Sequence, residues 1–429
     1  MSSIAAPNRI EAVPALTDHL RTALGAVLFV ALIGTLTPFQ AESLTGAAGN
    51  VVNQFGYGIL ALLALGSHLL FTERLVARAL LRPAWIAMAL CIFASVAQAL
   101  DPGLTLRTAL FTLVAMIACT GVVTLPPDVR AFRVSLSITA LTILGLSYLG
   151  ILLMPQLAVH QAVGEEAQHA GLWRGIYSHK NIAAPVMAGL FFSGLYLIRC
   201  GDKRIGWVVT LLACLFVLKT GSKTSTSLLP LVAFLVIGGR AFGGRILPVM
   251  VLFAAMTVMA LMTIGAVLSP TLDAILQTLL PGTTFTGRAD LWRFALETME
   301  PRQWTGYGLE SFWLTNNVFS AETPFELSWD PRGIVNAHSG YLDIAIAMGW
   351  PSLIVASFVL LFLPAYDYIK CPAGRENQLL CDLFLMIIAF VLLNSFLESY
   401  FFRRNDPIWM FLWTSIVGMR LVSRFPIRD

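Results

Sequence analysis

Charge is scarce in this sequence. Only 12% of its 429 residues are Asp, Glu, Lys or Arg, and 57% are hydrophobic. Soluble domains carry about 25% charged residues, which excludes that class. Alternation of apolar and polar residues is also missing. The apolar stretches are continuous, so helices rather than a closed barrel must satisfy the backbone in lipid. The six cysteines form no CxxC pair, and none falls in the long polar stretch between residues 269 and 338. That argues against a disulfide framework or a zinc site. The chain has no Asp-x-Asp pair, so no carboxylate site for a divalent metal is evident. Neither metal nor cofactor is expected. The net charge of +4 speaks to orientation more than to partners, and no nucleic-acid partner is expected. No internal repeat or low-complexity segment is found.

Many apolar runs could cross about 30 Å of hydrocarbon. Twelve candidate spans cover 22–39, 51–71, 84–100, 105–124, 131–154, 181–198, 205–219, 226–239, 246–268, 339–363, 379–401 and 406–422. The eighth is short and nearly touches the seventh, which leaves ten or eleven open. The expected fold is an all-α polytopic membrane protein. It would be one transmembrane domain over 1–429, with a large loop at 269–338 inserted in it. The first apolar run has no small-residue cleavage site and reads as a retained helix.

Lys and Arg set the expected orientation. With both termini inside, the cytoplasmic segments hold 17 of the 28 basic residues, Arg9 and Arg428 among them. The other eleven then lie outside: Arg107, Arg174, Lys180, Lys219, Lys223, Arg288, Arg293, Arg302, Arg332, Arg403 and Arg404. They oppose the inside-positive bias. Three outer loops could thus pool cations into one anion site. Arg403 and Arg404, beside a span end, read instead as lipid-headgroup contacts. For Lys180, Lys223 and Arg293 both readings stand open. An anion resident at a membrane face would be a lipid-linked phosphate or diphosphate, whose departure as a leaving group the cations would assist.

His338 closes the long loop, where an imidazole could take a proton from an attacking hydroxyl or simply cap the next helix. His160 and His169 read as loop residues, and His179 is ambiguous. Ten aromatic residues lie between Ser269 and Ala337, including Trp292, Trp304, Trp313 and Trp329. They suit sugar stacking and membrane-interface anchoring equally well. Asp290, Glu297, Glu300, Glu310, Glu322 and Glu326 read mostly as solvated faces.

Five clusters stand in order: Arg174-Gly175-x-x-x-His179-Lys180-Asn181, Gly221-Ser222-Lys223-Thr224, Gly287-Arg288-x-x-x-Trp292, Gly306-x-Gly308, and His338-x-x-Tyr341-Leu342 with Gly349. This series resembles the O-antigen ligase / Wzy-type polymerase superfamily, from about Arg174 to Pro351. The resemblance implies a C-type glycosyltransferase fold in a bacterial inner membrane. It implies a glycan donor on undecaprenyl pyrophosphate at the periplasmic face, and inverting, metal-independent transfer. Carried over by position, Arg174 and Arg288 would hold the pyrophosphate and His338 would activate the acceptor. Lys180, Lys223, Arg293, His179, Asn181 and Tyr341 would line the substrate site. Members often have Ser-Arg where this chain has Ser222-Lys223, so a two-pronged phosphate grip is in doubt there.

The His179-Lys180-Asn181 run and the compact loop favour the exopolysaccharide polymerase branch. The alternatives are a ligase to lipid A core and, in a different class, a transporter of lipid-linked sugar. Expected partners are the lipid-linked donor and acceptor, membrane lipids, and chain-length regulator and export proteins.

Overall fold

The computed structural model describes residues 16–40, 51–162, 164–285, 287–313, 315–320 and 334–427. Arg9, Glu322, Glu326, Trp329, Arg332 and Arg428 lie outside the described residues. The chain is an all-α polytopic membrane protein. Among the described residues nine helices are long and apolar enough to cross a membrane, or ten if the bent pair Arg74–Leu80 and Pro83–Gln98 counts as one span. Each of the twelve expected segments contains a helix, although 34–39 and 395–401 lie beyond the helix ends. Of the two that fall outside the ten, Lys203–Lys219 is 17 residues long and Pro407–Arg424 carries Arg420 and Arg424 near its end.

Local sequence explains where helices begin. Asp101, Asp128, Asp406 and Ser222 each accept backbone N–H bonds at a helix start, a capping role suited to short oxygen-bearing side chains. Pro83, Pro102 and Pro407 occupy first-turn positions, where no N–H is needed. The Arg375–Asn394 helix is the central pillar, with 89% of its membrane window buried, against 22% for Ile246–Leu268 at the lipid-facing edge. Beside the pillar stands Lys180–Cys200, at 72%.

The helix starting at Gly340 is broken at Gly349, whose φ of 76° lies in the left-handed region, and Pro351 removes a further N–H. A break at membrane depth must have its freed carbonyls satisfied by protein. The loop supplies the donors: Tyr307 N–H bonds Ile346 O and Gly308 N–H bonds Ala347 O, both at 2.9 Å. A Cβ at Gly306 would lie 2.4 Å from the Ala347 carbonyl, and one at Gly349 would lie 2.3 Å from Trp304 O. The Gly306-x-Gly308 and Gly349 signature is therefore architectural, because it seats loop on helix.

The loop has a core of its own. Trp292, Phe294, Met299, Tyr307 and Phe312 bury against Leu342, Ala345 and Ile346. Trp292 is fully buried and its indole N–H donates to Ala337 O at 2.9 Å. It is neither a sugar platform nor an interface anchor.

Candidate active site around Glu398

Four helices begin around one carboxylate. Lys180–Cys200 starts beside it, and so does Arg288–Met299, entered through Gly287 at φ 81°. Gly340–Ser357 also starts here, its first N–H bonding Ser395 O and Glu398 O at 2.8 and 3.0 Å. A chain of contacts ties in the fourth, Lys223–Ala233: Asn394 Nδ2 reaches Ser225 Oγ at 3.5 Å and Tyr400 Oη at 3.4 Å, and Tyr400 donates to Asn181 O at 3.3 Å.

The carboxylate is Glu398. Arg288 Nη2 donates to its Oε1 at 2.7 Å, Asn181 Nδ2 to the same oxygen at 3.0 Å, and His338 Nδ1 lies 3.1 Å from its Oε2. Lys180 and His179 stand within electrostatic reach. Burial raises the Glu398 carboxyl. The hydrogen bond from His338 and the charges of His338, Arg288 and His179 outweigh it, and the carboxyl sits below its ordinary range. It is an ionised acceptor near neutrality, which favours a proton on His338 Nδ1; in the neutral imidazole Nε2 then has the lone pair. The His338 side chain is 33% exposed, open enough for a substrate to reach.

His338 itself is strained. Its φ of 47° is left-handed, a conformation that persists in a non-glycine residue only where surroundings impose it. Those surroundings are visible. Ala337 N–H bonds both Asp343 carboxylate oxygens at 3.0 and 3.2 Å, and His338 N–H bonds Asn336 Oδ1 at 2.9 Å. His338 is thus not the helix cap; Ser339 occupies that position.

The sequence-expected residues divide. Arg288, His338, Asn181, Lys180 and His179 gather around Glu398. Arg174 stands one step back and is buried: its Nε donates to Leu157 O and its Nη1 to Ser178 O, both at 3.0 Å. It thereby clamps the turn that carries His179–Asn181. Arg293 pairs with Asp290 at 2.9 Å on the exposed side of its helix. Tyr341 turns its hydroxyl to Leu392 O at 3.0 Å and packs on Phe396 and Phe401, a packing role rather than a substrate contact. Lys223 is exposed at its helix start.

His160 lies in a loop, as the sequence suggests, but it is buried there, and its Nε2 accepts the Lys180 N–H at 3.1 Å. Its ring also meets His169 and His179 at 5.7 and 5.0 Å between centroids. Glu310 is exposed, as expected of a solvated acid, and it also pairs with Arg404 at 2.9 Å, which gives Arg404 a protein partner.

Residue for residue, the missing member of the expected site was Glu398. It stands in a run, Asn394–Phe402, that reads as the end of a span. An acid inside an apolar run is itself a signal, because such residues are costly in membranes and mark function.

The O-antigen ligase family model matches residues 207–357. That is about a third of the chain, and it supports the O-antigen ligase/Wzy superfamily. No curated protein matches the chain. The O-antigen ligase match includes Lys223, Arg288 and His338. It stops short of Glu398 and begins after Arg174 and His179–Asn181, so both flanks of the carboxylate site come from outside the matched segment. The match supports an O-antigen ligase or polymerase type of function, a glycosyltransferase-like enzyme acting on lipid-linked glycan in a membrane.

Proposed function

We propose that the chain is a polysaccharide polymerase. In this reading it joins oligosaccharide repeat units carried on undecaprenyl pyrophosphate at the periplasmic face of a bacterial inner membrane. The observation that carries this is an imbalance of charge. Arg288 and Lys180 are each the first residue of a helix, where the backbone dipole is already positive. Among the described residues one carboxylate, Glu398, faces both. That leaves a positive excess, which a diphosphate would balance.

The chemistry follows. The acceptor hydroxyl gives its proton to His338 Nε2 as its oxygen bonds the anomeric carbon of the donor sugar. The bond from that carbon to the diphosphate oxygen breaks on the opposite face, which inverts the centre. The diphosphate leaves with the electron pair, and Arg288 and Lys180 stabilise the charge that grows on it. Glu398 holds the His338 tautomer and stabilises the imidazolium. Arg174 shapes the loop that presents Lys180 and Asn181.

The test is purified protein with a defined lipid-linked repeat unit. Joined repeats and released prenyl diphosphate are expected. Carrier lipid moved across liposomes with no sugar joined would instead make it a transporter. Glycan from a deletion strain separates the branches: single repeats on carrier support the polymerase, and long unligated polymer would make it a ligase.

A further inference from the structure

Beside the turn that carries His338 an open cleft is lined by Thr108, Glu310, Trp313, Asn336, Asp343 and Arg403. It shares its backbone with the site already described: Asn336 accepts the His338 N–H, and Ser399, also in its wall, follows Glu398. Its charge is different in kind. Two carboxylates, Glu310 and Asp343, look onto it, against the single Arg403. Glu310 is further bound by Arg404 at 2.9 Å and by the Thr108 hydroxyl at 3.4 Å, and Asp343 accepts the Trp313 indole N–H at 2.9 Å. With Arg403 in the wall and Arg404 on Glu310 these carboxylates are matched, so a diphosphate gains no net attraction here. An uncharged, polyhydroxylated ring suits it better, because carboxylate and guanidinium groups both bond hydroxyls and the Trp313 ring offers an apolar surface beside them. Two residues of its wall, Glu310 at φ 55° and Phe402 at φ 57°, are in the left-handed region, as is His338. Backbone strain of this sort gathers at ligand sites.

We propose that this cleft is the acceptor subsite and takes a neutral sugar ring, whose free hydroxyl it presents to His338. The inference rests on the reading of His338 as the base for an acceptor. The imidazole then stands between two unlike chambers, a cationic one for the leaving diphosphate and a mixed-charge aromatic one for the incoming saccharide. Two sources share that chemistry, a core oligosaccharide and the growing end of a repeat-unit chain.

The experiment uses purified full-length protein in lipid nanodiscs with saturating lipid-linked donor. Two soluble acceptors are varied: dephosphorylated core oligosaccharide and lipid-free repeat-unit oligosaccharide from the producing strain. Whichever is used identifies the source. Glu310→Gln and Arg403→Gln should each raise the acceptor KM about tenfold, the loss of roughly one charge-assisted hydrogen bond. The donor KM and the melting temperature should hold. Binding of the same oligosaccharides to donor-free protein should weaken in step, and Arg288→Ala should leave that binding unchanged. An unaltered acceptor KM, a rise in donor KM instead, or no oligosaccharide binding by the wild-type protein would overturn the subsite while leaving the transfer reaction intact. Oligosaccharide binding that depends on Glu310 in a protein that joins no sugars would keep the subsite and overturn the transferase reading.

Discussion

Two carboxylates at opposite ends of one pillar teach opposite lessons. Asp382 lies two turns into the Arg375–Asn394 helix, fully buried, with Arg240 at 2.6 Å, Arg199 at 2.9 Å and the Tyr368 hydroxyl at 3.0 Å. Nearby, Asp367 gathers Arg82 and Arg420 at 2.6 and 3.2 Å. Glu398 lies just past the other end of the same helix, with Arg288, His338 and Asn181. Lys180–Cys200 links the two places: it starts at Glu398, and its Arg199 reaches Asp382, roughly 30 Å away by helix rise. At the Asp382 end, Arg199, Arg240 and Arg420 sit near the last turns of their helices, where the dipole is negative and favours them. All the cations there are arginines, which hold their protons at any working pH. At the Glu398 end, cations sit on positive helix ends, and the partners include an imidazole and an amine. One cluster is closed off from solvent, with two guanidiniums on each carboxylate, and pins helices together. The other is open enough for a substrate at His338 and contains a group able to move a proton.

The largest effects should fall on chemistry at the open cluster. His338→Ala removes the base and should cut transfer by about 10²–10⁴, with Arg288→Ala losing about 10²–10³. Lipid-linked repeats should accumulate in membranes where the protein level is normal. A normal chain-length ladder from either variant would break the contrast. Next comes the closed cluster. Asp382→Ala leaves two part-buried guanidiniums without their carboxylate and should cost about 3 kcal/mol of stability. Detergent melting curves would show it as loss of folded protein, whereas Glu398→Gln should melt only modestly below wild type yet transfer poorly.

Trp292→Ala should cost a similar 3–5 kcal/mol, because a filled core site empties. Trp292→Phe should cost about 1 kcal/mol for the lost bond to Ala337, with a fall in rate as the His338 turn loosens. The pH dependence is subtler. Glu398 sits below its ordinary range, so its contribution to stability is present above the unfolded value of about 4.3 and fades as pH falls through the lower folded value. The melting gap between wild type and Glu398→Gln should therefore stay level from pH 5 to 8 and close in stronger acid, on an order-of-magnitude scale. A gap that widened in acid would contradict that sign. The smallest effect belongs to Arg293→Ala: an exposed pair with Asp290 is worth about 0–1 kcal/mol, and transfer rates should hardly move.

The helical membrane architecture was legible because a continuous apolar run has one physical solution in lipid. The number of crossing helices was less so. A break such as Gly349 and a bent pair such as Arg74–Leu80 with Pro83–Gln98 depend on which loop donors reach them, and a linear sequence does not show that. Arg288 and His338 stood out as a cation before an amphipathic helix and an imidazole at a helix entrance. Glu398 was hidden by its apolar neighbours. Arg174 was noticed for its charge, yet its guanidinium donates to the carbonyls of Leu157 and Ser178. The aromatic residues could not be sorted by type, since Trp292 is buried, Trp304 is 68% exposed, and Trp313 lines a cleft. Only packing separates those fates.

The most direct measurement is a cryo-electron-microscopy map of the protein with a prenyl diphosphate bound in nanodiscs. The account predicts the diphosphate at the start of the Lys180 and Arg288 helices, its oxygens bonded to both side chains, with the His338 ring facing the anomeric position from across the site. A diphosphate held at the Arg199, Arg240 and Arg420 end, or bound with Arg288 still turned wholly to Glu398 and out of its reach, would contradict it.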